Sequence, residues 1–130
     1  MKKQRAFSMH LSRGLVVATE NATVVELARL MDENNIGAVL IIKSERLVGI
    51  ASERDIIKRV IAKGLPLEKT KAKDFMTTEV VAAEFNDGVE KIYQKLCEVK
   101  FRHLPIVDKG KVVGIASQKD VLYNLTLKES

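Results

Sequence analysis

Two stretches of the chain carry residue types whose spacing could do chemistry: Gly49-Ile-Ala-Ser-Glu-Arg-Asp55 and Gly114-Ile-Ala-Ser-Gln-Lys-Asp120. Ser52 and Ser117 stand where a helix is predicted to begin, and free N–H groups and the helix dipole there favour a phosphate oxygen. Arg54 and Lys119 can place a cation over the same anion. Asp55 and Asp120 are carboxylates able to accept both hydroxyls of a ribose cis-diol, a use that marks ribonucleotides and adenosine-like ligands. Gly49 and Gly114 let a backbone approach a flat ligand closely. The same spacing has a second physical meaning, because Ser-x-x-Asp is also an N-terminal capping pattern with an acid in the first helical turn. A duplicated segment copies caps as faithfully as sites, so both readings stand at this point.

Other chemistries find less support. Two histidines and one cysteine do not assemble a conventional zinc site. Cys97 is expected to be a small buried apolar residue, and no third group orients a Cys97–His103 pair for catalysis. Gly64-Leu-Pro-Leu-Glu-Lys69-Thr70 resembles a phosphate loop only superficially: Glu68 stands where the second glycine belongs, and the stretch follows a helix rather than a strand. No paired acids or nucleophile–base set points to an enzyme.

The elements that must position the two motifs repeat as well. A shift of 65 positions carries Val24 onto Val89, Ile41 onto Ile106, Val48 onto Val113 and Asp55 onto Asp120 without a gap. In the first copy, Val16-Val17-Ala18 predicts a short strand. Thr23 and Glu26 predict a capping box before a helix whose stripe is Val24, Leu27, Ala28 and Met31, closed by Asn34-Asn35. Ala38 to Ile42 and Leu47 to Ala51 predict a hairpin, and a second helix runs from Ser52 through Ile56, Ile57, Val60 and Ile61 to a stop at Gly64-Leu65-Pro66. The second copy offers a strand at Val80 to Ala83 and a capping box of Asp87 with Glu90. Its helix stripe is Val89, Ile92, Tyr93 and Leu96, its hairpin spans Leu104 to Ala116, and a final helix runs from about Ser117 toward Leu127. The expected fold class is therefore α/β (α+β). Two pseudo-symmetric β-α-β-β-α repeats, each a three-stranded mixed sheet with two helices, pack face to face and form clefts where they meet. The boundaries are a basic tail over 1–14, a first repeat over 15–64, a polar linker over 65–78 anchored by Asp74-Phe75-Met76, and a second repeat over 79–130.

Composition bounds the partners. A chain of 130 residues with 46% apolar content suits one compact domain, and no apolar run nears the roughly 18 residues that span a bilayer. Four of the five net positive charges come from Lys2, Lys3, Arg5 and Arg13, in a stretch without acids. Basicity is thus a property of the tail, and nucleic acid is not an expected partner. The basic start lacks the apolar stretch of a secretory signal, a single cysteine permits no internal disulfide, and a cytoplasmic location is expected.

Ile36-Gly-Ala-Val-Leu-Ile-Ile42 before the first motif, and Arg102-His-Leu-Pro-Ile-Val-Asp108 before the second, give residues 15–127 the look of tandem cystathionine-β-synthase-type (CBS) domains. Asp74-Phe-Met-Thr77 resembles the short lead-in to a repeat in that family. The resemblance implies a pair that dimerises and binds adenosine-containing ligands such as AMP, ADP, ATP, S-adenosylmethionine or NAD, with no required cofactor and Mg2+ only alongside ATP. It implies that Ser52, Asp55, Ser117 and Asp120 contact phosphate or ribose. Val17, Ala18, Ala82 and Ala83 would line the adenine with Ile50 and Ile115, and Arg102 and His103, before Pro105, would reach phosphates. Val17 and Ala82 replace a hydroxyl residue frequent at their position in the family. Gly37-Ala38-Val39-Leu40 stands where the second half has Arg102-His103-Leu104-Pro105, so asymmetric clefts are expected, the second more anion-selective. The expected function is a non-catalytic regulatory module acting on an unidentified protein target. The alternative is a dimeric scaffold whose clefts are vestigial.

Overall fold

The computed structural model describes residues 16–98 and 103–117, with residues 89, 103 and 117 described by their backbone. These fall into two compact units, the first over Val16–Val80 and the second beginning at Val81.

In the first unit, β1 (Val17–Thr19) is followed by α1 (Val24–Asn34), β2 (Ala38–Lys43) and β3 (Arg46–Ser52). Thr23 caps α1, its hydroxyl oxygen accepting from the Glu26 amide at 3.2 Å. Asn35, in the left-handed region at φ 52°, closes the helix as expected. β1 runs parallel to β2, and β2 runs antiparallel to β3 through a two-residue turn at Ser44 and Glu45, both with positive φ. Two left-handed residues match the twist of the flanking strands. β3 then leads into α2 (Glu53–Asp55), which widens into a π-helical segment over Ile56–Ile61. Its bonds skip five residues, Ala62 N–H to the Ile57 carbonyl and Leu65 N–H to the Val60 carbonyl.

The second unit reproduces this order at the same 65-residue shift, with β4 (Ala83–Glu84), α4 (Val89–Glu98), β5 (His103–Asp108) and β6 (Lys111–Ser117). β4 is parallel to β5, and β5 is antiparallel to β6. Even the irregularities correspond: the ladder slips between Ile41 and Ile42 in one unit and between Ile106 and Val107 in the other. Gly110, at φ 85°, occupies the turn position of Glu45. The expected mixed α/β class and its repeated units are what the chain adopts.

Each unit has its own core under its first helix. Leu27, Met31, Val39, Ile41 and Ala51 form one, and Ile92, Leu96, Leu104, Ile106 and Ala116 form the other, position for position. The helix stripes are narrower than expected. Ala28 is exposed, Tyr93 is 43% exposed, and Cys97 lies on the solvent side of α4 rather than in the core. The second helix of the first unit buries Ile56 and Val60 but leaves Ile57 and Ile61 outward. Four-residue spacing keeps each pair on its own face of the wide turn.

Residues 66–77 are stitched onto the first unit. Val24 N–H donates to the Thr70 carbonyl, Ala72 N–H to that of Ala22, and Lys73 N–H to that of Glu20. The short α3 (Ala72–Phe75) then buries Ala72 and Phe75 in the first core, so the anchor at Asp74-Phe75-Met76 is chiefly its phenylalanine.

Candidate functional site

The strand alternation sorts the candidate residues by sheet face. Val17 pairs with Leu40 and Leu40 with Ile50, which forms one row across the sheet. Ala38 pairs with Ser52 two residues along, so Val17, Ile50 and Ser52 share the face turned away from α1. Ala18 pairs with Ile41 on the opposite face and packs against the core under α1. Ala83, its counterpart, is wholly buried in the second core, whereas Ala82 is half-buried. Of the strand residues expected to line a base, Val17 and Ala82 therefore avoid core duty, and Ala18 and Ala83 do not.

At the first strand-to-helix turn, Ser52 and Asp55 are reciprocally bonded. The Ser52 hydroxyl oxygen accepts from the Asp55 amide at 3.0 Å, and Asp55 Oδ2 accepts from the Ser52 amide at 3.3 Å. This is the capping box. Thr77 adds its hydroxyl to Asp55 Oδ2 at 3.3 Å, and Arg59 Nε lies 3.7 Å from Oδ1. Arg59 Nη1 also donates to the Phe75 carbonyl at 3.1 Å. Ser52 is 1% exposed and Asp55 8%, whereas Arg54 is exposed. Here the helix cap that the spacing permitted is formed, and any ligand at Asp55 has to share a carboxylate already engaged. Thr77 and Arg59 did not figure among the candidates. The signal for Arg59 was its i,i+4 distance from Asp55, and that for Thr77 was its place in the Asp74-Phe-Met-Thr77 lead-in.

Gly49 makes room for protein, not for a flat ligand. A Cβ there would lie 2.5 Å from Met76 Sδ and 3.1 Å from the Thr77 carbonyl oxygen. The 76–77 backbone comes this close because Ile50 and Thr77 exchange two backbone bonds, each of 2.9 Å.

The second turn is described as far as β6. His103 pairs with Ser117 and Pro105 with Ile115; Pro105 is buried and Ile115 half-buried. Arg102, Lys119 and Asp120 lie outside the described residues. Between β4 and α4, which begins at Val89, Asp87 departs from its expected role as a helix cap. Its Oδ2 accepts from the Glu84 amide at 2.9 Å and from Lys95 Nζ at 3.1 Å, and Lys91 Nζ lies 3.3 Å from Oδ1. Burial pushes the Asp87 carboxyl pKa up, but these donors outweigh it and hold the pKa below its ordinary value.

Among the described residues, no cluster of three His, Cys, Asp or Glu side chains could hold a metal ion. No helix there is long and apolar enough to cross a membrane.

A family model for the CBS domain matches residues 8–62 and 72–126. A CBS domain-containing protein of Bacillus subtilis, YhcV, is 33% identical over 116 residues, covering 89% of this chain and 82% of its own length. The crystal structure of the CBS domain NE2398 superposes with a TM-score of 0.82 at 30% identity, covering 94% of this chain and 96% of that one. The CBS domain pair of MJ0100, solved with 5′-methylthioadenosine and S-adenosyl-L-methionine, superposes with a TM-score of 0.76 at 27% identity, covering 94% and 96%. Other relatives are longer: the chain spans 57% of one and 22% of another.

Proposed function

This chain belongs to the CBS-domain family, and we propose that it is a non-catalytic regulatory module that binds an adenosine-containing ligand. The second repeat is the principal site. The observation that carries this reading is the register of β5 and β6, which sets His103 directly opposite Ser117. Directly opposed residues in an antiparallel pair stand roughly 5 Å apart, so one phosphate can meet both. Arg102 and Lys119 flank them in sequence and add cations, and Asp120 takes the ribose hydroxyls. Ala82 and Ile115 are the apolar walls for the base. The MJ0100 pair, similar over nearly its whole length, supports the ligand class, since two adenosine derivatives are bound there.

The first repeat is the weaker site. Ala38 replaces the histidine, and the Asp55 carboxylate already serves Ser52, Thr77 and Arg59. This occupied carboxylate favours the second reading, a scaffold with a vestigial site, for that repeat alone. Ligand binding acts by differential affinity: the nucleotide favours one conformation of a homodimer in the cytoplasm and thereby changes affinity for a protein target. AMP, ADP, ATP, S-adenosylmethionine and NAD share the required adenosine, and Mg2+ enters only with ATP. Native mass spectrometry of the purified chain tests the proposal. An adenosine-containing molecule carried through purification is the expected result; a ligand-free chain that also takes up none of these five compounds contradicts it.

A further inference from the structure

Lys95 ties the strand of the second site to its helix. Its Nζ donates to the Ala82 carbonyl at 3.3 Å and to Asp87 Oδ2 at 3.1 Å, and the same Oδ2 accepts from the Glu84 amide. The residues on both sides of Ala83 are therefore pinned to one partly shielded ion pair, the Lys95 side chain being 26% and the Asp87 side chain 9% exposed. The first repeat keeps the backbone of this device and lacks its chemistry. Ala22 N–H bonds the Thr19 carbonyl just as Asp87 N–H bonds that of Glu84. Yet 65 positions below Asp87, Lys91 and Lys95 stand Ala22, Glu26 and Leu30. A methyl group cannot accept the amide, and an isobutyl group cannot reach for the Val17 carbonyl. In place of the ion pair the first repeat has an open depression of about 350 Å³, walled in part by Ala18, Ala22, Glu26 and Leu30.

We propose that Asp87 and Lys95 are positioning residues for the second adenosine site, holding Ala82 and its backbone in the form that receives the base before any ligand arrives. The inference rests on the adenosine-binding reading above. A strand held beforehand loses less freedom on binding, so affinity rises without a new ligand contact. The first repeat, without the pair, leaves the ligand to order its own strand.

The test uses AMP as probe on the full chain, with calorimetric titration and amide hydrogen exchange measured together. Lys95→Met is expected to speed exchange at Ala83 and Glu84 and to weaken AMP binding about tenfold, the loss of one charge-assisted bond in its effect on affinity. Lys95→Arg restores both. Unchanged exchange, faster exchange with unchanged affinity, or a Lys95→Arg chain that stays as weak as Lys95→Met each overturns the positioning role. A wild-type chain that gives no heat with AMP, ATP or S-adenosylmethionine brings down the adenosine-binding reading itself, and is told apart because the variants are not needed to see it.

Discussion

His103 stands opposite Ser117 in the β5–β6 ladder, at the place where the first repeat pairs Ala38 with Ser52. The two repeats share a backbone down to their ladder irregularities, so this exchange of alanine for histidine is a difference of chemistry on a common frame. It sets a histidine at the edge of the proposed second site, where the first repeat has only an alanine.

The capped helix makes a stability prediction. Asp55→Ala removes the acceptor of the Ser52 amide and of the Thr77 hydroxyl and leaves Arg59 without its carboxylate. Loss of a cap and its buried partners costs about 1–3 kcal/mol. Urea unfolding of wild type and variant measures it, and a change within about 0.5 kcal/mol, the range of an ordinary surface substitution, contradicts the role assigned to Asp55.

Gly49→Ala is expected to destabilise the first unit by about 1–3 kcal/mol, because the added methyl meets Met76 and the Thr77 carbonyl. Shortening the neighbour removes part of that clash. Gly49→Ala combined with Met76→Ala therefore costs less than the sum of the two single changes, a coupling that a double-mutant cycle reads directly.

Asp87 sets an acid limit. Its folded pKa lies below the ordinary 3.8, so in acid the unfolded chain binds the proton more readily than the folded one. The carboxylate therefore stabilises the fold fully above the unfolded value, and that contribution is lost as pH falls through the folded value. Between about pH 5 and pH 2.5 the wild type should lose stability faster than Asp87→Asn. Parallel curves across that range contradict the argument.

Much of this was legible in the residues, and the gaps have physical causes. The 65-residue repeat is covalent information, and strand pairing follows the apolar runs, so the strand pairs within each unit could be read directly. Helical periodicity gives a stripe but not its width; a residue one position beyond the stripe, such as Tyr93 beside Ile92, falls on the flank and stays exposed. Asp87 read as a cap because its spacing to Glu90 fits one. Lysines four and eight residues on take the same carboxylate, and the second of them, Lys95, also reaches the Ala82 carbonyl. Gly49 invites a close approach, but nothing local says by what, and Met76 and Thr77 come from 27 and 28 residues away. At Ser52 and Asp55 sequence left two readings open, and the reciprocal bonds supply the cap.

The central claim is that the second repeat takes the adenosine ligand through Asp120. Calorimetric titration of wild type, Asp120→Ala and Asp55→Ala with the ligand found by mass spectrometry tests it most directly. Loss of one charge-assisted hydrogen bond, about 1.5–3 kcal/mol, predicts an affinity about ten- to a hundredfold weaker in Asp120→Ala, with a smaller change in Asp55→Ala. Unchanged affinity in Asp120→Ala contradicts it.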